Sequence, residues 1–155
     1  MPDPSLLPMD YRTPPPSATD PRLTPSASWL YWVAGLSAVN TVIHASGGTM
    51  TFSMGLGLTQ YLSGIGNVLG PMAKTITIVA SVVVIVILAL LGYMACRGAV
   101  WAFIAGIVIL ILDTLLLIPV ASTAWLSIAF HIWAIVSLFM GLKIARETPP
   151  EARYQ

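Results

Sequence analysis

Between Trp29 and Leu142 the chain carries only three residues that are ionic at neutral pH: Lys74, Arg97 and Asp113. A water-facing surface draws about a quarter of its residues from Asp, Glu, Lys and Arg. Here 8% of the 155 residues are charged and 57% are hydrophobic. A bilayer removes the conflict, because lipid-facing surface calls for apolar side chains. The other charges sit in the two end segments. The length suits one domain.

A transmembrane helix needs about 20 apolar residues. Four segments qualify: 29–48, 75–95, 99–118 and 123–142. The first opens on Trp29, Tyr31 and Trp32, an interfacial aromatic belt, and stops at Gly47-Gly48. A short Cys96-Arg97-Gly98 turn joins the second to the third. Pro119 closes the third, and Lys143 and Arg146 close the fourth. The expected architecture is all-α, a transmembrane four-helix bundle occupying 29–143.

The flanks read differently. Residues 1–28 hold eight of the twelve prolines, three aspartates, Arg12 and Arg22. Proline fixes φ and removes a backbone donor, so this segment reads as a disordered or polyproline-like cytoplasmic tail. It lacks the basic and apolar regions of a cleavable signal, which makes the first span an uncleaved anchor. Residues 144–155, with Pro149 and Pro150, form a second cytoplasmic tail. With the N-terminus inside, Arg12, Arg22, Arg97, Lys143, Arg146 and Arg153 are cytoplasmic and Lys74 alone is outside, as the positive-inside rule requires. The location expected from this is the plasma (inner) membrane.

Residues 49–72 contain five glycines and no charge. Met54, Leu58, Tyr61, Leu62, Ile65 and Leu69 recur at helical spacing, opposite Ser53, Gly57, Gln60, Gly64 and Asn67. This predicts an amphipathic helix in the outer interface, or a re-entrant one; a fifth span would split the positive charges. Gly66 and Gly70 have GxxxG spacing, which fits either a close helix contact or local flexibility.

An ionisable group inside a span is a functional-site hypothesis by default. There are three: His44, Asp113 and His131. Asn40 lies one turn before His44, and Ser127 one turn before His131. At 1.5 Å per residue, His44, Asp113 and His131 lie roughly 6, 8 and 12 Å below the outer ends of their helices. They are expected to form a polar cluster beneath 49–72, capped by Lys74. The short loop after the third span makes Asp113 and His131 neighbours, so a carboxylate faces an imidazole. Such a pair relieves two desolvation penalties. It either glues helices together or handles protons or a ligand. The histidines have no metal or haem spacing, and Gly55-Leu56-Gly57 lacks the third glycine of a dinucleotide fingerprint. Cys96 is the only cysteine, which excludes an intramolecular disulfide, a CxxC pair and a cysteine zinc site. No catalytic residue, metal ligand or cofactor is assigned. The net charge of +1 gives no reason to expect nucleic acid.

Three stretches, Met54 to Gln60, Gly106 to Leu115 and Phe130 to Leu142, together resemble a family of small four-helix bacterial integral membrane proteins of uncharacterised function. The pattern is GLG-x-T-Q after the first helix, an aspartate late in the third and F-H early in the fourth. The resemblance spans about residues 30–145. It implies Gly55, Gly57, Thr59, Gln60, Asp113 and His131 as its residues. His44 and the proline-rich tail fall outside it, and it implies no activity.

Three functions are compatible with these residues. The first is a non-enzymatic accessory or assembly protein, whose partners are the lipid bilayer and either a second copy or another membrane protein. The second is a small oligomeric proton-coupled transporter or channel using Asp113 and His131. The third is a membrane redox or cofactor protein.

Overall fold

The computed structural model describes residues 21–47 and 56–147. The tail before residue 21, Gly55 with the rest of 48–55, and residues 148–155 lie outside the described residues. Five helices follow in order: α1 (Thr24–Ala45), α2 (Gly57–Leu69), α3 (Pro71–Cys96), α4 (Val100–Leu117) and α5 (Ala121–Glu147). A 3-10 turn, Ile118–Val120, joins α4 to α5. Among the described residues there is no strand.

α3, α4 and α5 are long and apolar enough to cross a membrane. α1 has 22 residues, or about 33 Å at 1.5 Å per residue, but is not apolar enough to qualify with them. The reason is one polar face: Ser37, Asn40, Thr41 and His44, all buried. α1 packs on α3 and α5, α3 on α4, and α4 on α5. The chain reverses at Gly98, whose φ of 78° closes the α3–α4 turn, a conformation that costs glycine nothing.

Helix boundaries differ from those expected in instructive ways. α1 starts at Thr24 rather than Trp29, with Pro25 in its first turn. Proline there loses no hydrogen bond, and its fixed φ is already helical, so the last proline of the tail segment begins a helix. α3 likewise starts early, on Pro71, which puts Lys74 inside its first turn. α5 runs through the expected start of the C-terminal tail to Glu147, because Lys143 to Glu147 are helix formers and no breaker intervenes.

The interior is assembled from Leu23 just before α1, Leu30 and Val33 of α1, Leu88 of α3, Phe103 and Leu110 of α4, and Leu138 of α5. Large apolar side chains also cover the outside: Val82 and Val86 on α3, Val108 and Leu112 on α4, Ile132 and Val136 on α5. Soluble monomers rarely expose contiguous apolar surface on this scale; it fits a membrane protein, whose surface faces lipid. Small residues set the helix spacing, as they do between membrane helices. A Cβ on Gly141 would lie 2.6 Å from both Phe103 Cε1 and Ser26 Cβ, whereas one on Gly35 would meet nothing within 4 Å. Gly141→Ala is therefore expected to destabilise the protein by about 1–3 kcal/mol through overpacking, lowering the melting temperature in detergent. Gly35→Ala should leave it unchanged or raise it.

Candidate functional site

α2 is 13 residues long, about 20 Å at 1.5 Å per residue, too short to cross a hydrocarbon layer of about 30 Å. It packs against α3, α1 and α4. Gly70, with φ of 95°, is the single residue between α2 and α3, so α2 folds back along the start of α3. At that contact a Cβ on Gly66 would sit 2.5 Å from Thr77 Oγ1 and 3.0 Å from Lys74 Cα. Of the two readings of the Gly66/Gly70 spacing, Gly66 makes a close helix contact and Gly70 makes the bend. The apolar side of α2, including Ile65, Val68 and Leu69, faces outward.

The first turn of a helix leaves four N–H groups without an intrahelical acceptor. At α2 these belong to Leu56 through Thr59, and three of them find acceptors on other helices. Leu56 N–H donates to Ser37 Oγ of α1 at 2.9 Å. Gly57 N–H donates to Asp113 Oδ2 and Leu58 N–H to Asp113 Oδ1, each at 2.8 Å. The Asp113 carboxylate of α4 is thus the N-terminal cap of a helix far away in sequence, and its negative charge faces the positive end of the α2 dipole. Ser37 lies eight residues before the end of α1, about 12 Å along the axis. α2 therefore begins inside the protein and emerges toward Gly70. Tyr61 adds a tie at the rim, its hydroxyl donating to Leu116 O at 3.2 Å.

Gly57 is required by this geometry. A Cβ there would fall 2.7 Å from Leu117 Cδ2 and 3.4 Å from Asp113 Oδ2. Thr59 is buried and its hydroxyl donates to Leu56 O at 2.8 Å, while Gln60 N–H opens the helical ladder to the same carbonyl at 3.4 Å. Gly57, Thr59 and Gln60 are thus the first turn that Asp113 holds.

His131 of α5 closes the other side of the carboxylate. Its Nε2 lies 3.0 Å from Asp113 Oδ2, with both side chains buried. The approach is close but not aligned as a hydrogen bond, so the contact is an electrostatic pairing. Nδ1 lies 2.7 Å from Ser127 O. A carbonyl only accepts, so Nδ1 carries a hydrogen. Nε2 is the ring atom that faces the Asp113 carboxylate. Ser127 contributes its backbone; its hydroxyl is buried with no hydrogen-bond partner among the described residues.

The Asp113–His131 pairing expected from the sequence is present. His44 and Asn40 are buried on the α1 face that carries Ser37, and His44 Nε2 has no hydrogen-bond partner among the described residues. Ser37 was missed, although its spacing from Asn40 and His44 put it on the same helix face. No three His, Cys, Asp or Glu side chains come together among the described residues. No family model, curated protein or solved structure matches the chain.

Truncating Asp113 strands two backbone N–H groups and an imidazole. Asp113→Ala is expected to destabilise the protein by about 3–5 kcal/mol. Asp113→Asn keeps one acceptor and leaves one donor unmatched, a loss of about 1–3 kcal/mol. Thermal unfolding in detergent measures both, and equal losses would contradict the capping role.

Proposed function

We propose that the chain is a four-span integral membrane protein, with α1 as the fourth span and α2 as a re-entrant half-helix, and that its role is non-enzymatic. It acts as an accessory or assembly protein in a membrane complex. α1 suits a span because its polar residues turn inward while Trp32, Val39 and Val42 are exposed. Backbone that is irregular at membrane depth is tolerated only where protein satisfies it, and the Ser37 and Asp113 bonds meet that condition. Four alternating spans bring Arg97 and the α5 cations to the side of the N-terminal arginines, which the positive-inside rule makes cytoplasmic.

The observation that carries the non-enzymatic reading is the occupancy of Asp113. Both carboxylate oxygens hold α2, and His131 faces one of them. The group with most chemical potential in the interior is engaged in architecture. A second reading, a small oligomeric proton-coupled transporter or channel, draws on one feature: His44 Nε2, Ser127 Oγ and His131 Nε2 are buried without aligned hydrogen bonds among the described residues.

The two readings predict different behaviour. An accessory protein is expected to co-purify with a stoichiometric membrane partner from mild detergent, and pure protein in vesicles should show no proton flux above empty vesicles. Proton flux that disappears in Asp113→Asn, with no partner recovered, would replace the first reading by the second.

A further inference from the structure

The end of α5 carries a feature unrelated to the Asp113 site. A shallow crevice there is lined by Phe139, Leu142, Lys143, Arg146 and Glu147. Val136, Phe139 and Met140 form an exposed apolar stripe. Lys143 and Arg146 continue it, four and seven residues beyond Phe139, so they fall on the same helix face. An apolar groove thus leads into two cations where the helix leaves the hydrocarbon. Lys143 Nζ is 4.0 Å from Glu147 Oε1, both largely exposed, a spacing that binds weakly and yields readily to a competing anion. Arg146 forms no ion pair among the described residues. Arg97, at the same end of the protein, stacks 4.4 Å over the Tyr93 ring.

We propose that this crevice binds an anionic phospholipid of the leaflet at the C-terminal end of α5. The phosphate sits between Arg146 and Lys143, and an acyl chain lies along Phe139. Charge complementarity selects this occupant. Guanidinium presents a planar fork that matches phosphate oxygens, and the apolar stripe below it suits a chain rather than a soluble anion. The carbonyl end of a helix repels anions, so recognition falls to the two side chains. The proposal rests on α5 crossing the bilayer and not on the role of Asp113.

Native mass spectrometry of the full chain in detergent, titrated with phosphatidylglycerol, phosphatidylcholine or inorganic phosphate, tests it. Phosphatidylglycerol is expected to bind roughly tenfold more tightly than phosphatidylcholine, from two basic side chains near the headgroup. The preference should disappear in the Lys143→Gln, Arg146→Gln double variant and persist in Arg97→Gln. Inorganic phosphate should not compete. Equal binding of the two lipids would overturn the proposal, as would an equal loss in Arg97→Gln, which would reveal a general charge effect. Displacement by phosphate would show that the acyl groove plays no part and would also overturn it. All variants should keep wild-type melting temperatures, since the substituted residues are exposed.

Discussion

A helix that starts inside a membrane protein presents N–H groups where no water can meet them. Each unmatched group costs about 1–3 kcal/mol, so such a helix exists only if other elements bring acceptors to it. In this protein the acceptors are Ser37 on α1 and Asp113 on α4. The arrangement ties α2 to two long helices at once, and His131 extends it to α5. At Gly57 the space a Cβ would need is taken by the buried Leu117 side chain. Gly66 and Gly70 then let α2 lie close to α3 and turn into it.

The same constraint explains the polar residues of α1. A span with Asn40, Thr41 and His44 facing lipid would be costly; all three are buried instead. The helix is less apolar on average than α3, α4 and α5 and still presents Trp32, Val39 and Val42 on its exterior. Composition averages over a helix, whereas its surroundings meet only one side of it.

Much of this was legible in the sequence. Uninterrupted apolar runs located α3, α4 and α5, and the scarcity of charge made Asp113 and His131 conspicuous. A short connection between α4 and α5 was enough to pair them. Beyond that point local pattern gave out. The acceptors for a helix start can come from any distance along the chain, so nothing near Leu56 announced that Asp113, 55 and 56 residues from its donors, is the cap. Periodicity showed that 49–72 has two faces but not which residues turn inward: Gly57, Thr59 and Gly66 are buried, while Gly64 and Asn67 of the expected polar face are exposed along with the apolar side. Pro25 and Pro71 lie outside the expected spans, which begin at 29 and 75, and instead stand in the first turns of α1 and α3, where proline does no harm.

Hydrogen exchange of the Gly57 and Leu58 amides, followed by NMR in nanodiscs, tests the central claim most directly. If Asp113 caps α2 inside the protein, both amides exchange slowly in the wild type. In Asp113→Ala they exchange faster by a factor of ten or more, each 1.4 kcal/mol of lost protection being tenfold. Leu88 at the centre of α3 stays protected throughout. Rapid exchange of Gly57 and Leu58 in the wild type, or unchanged protection when the carboxylate is removed, would contradict the account.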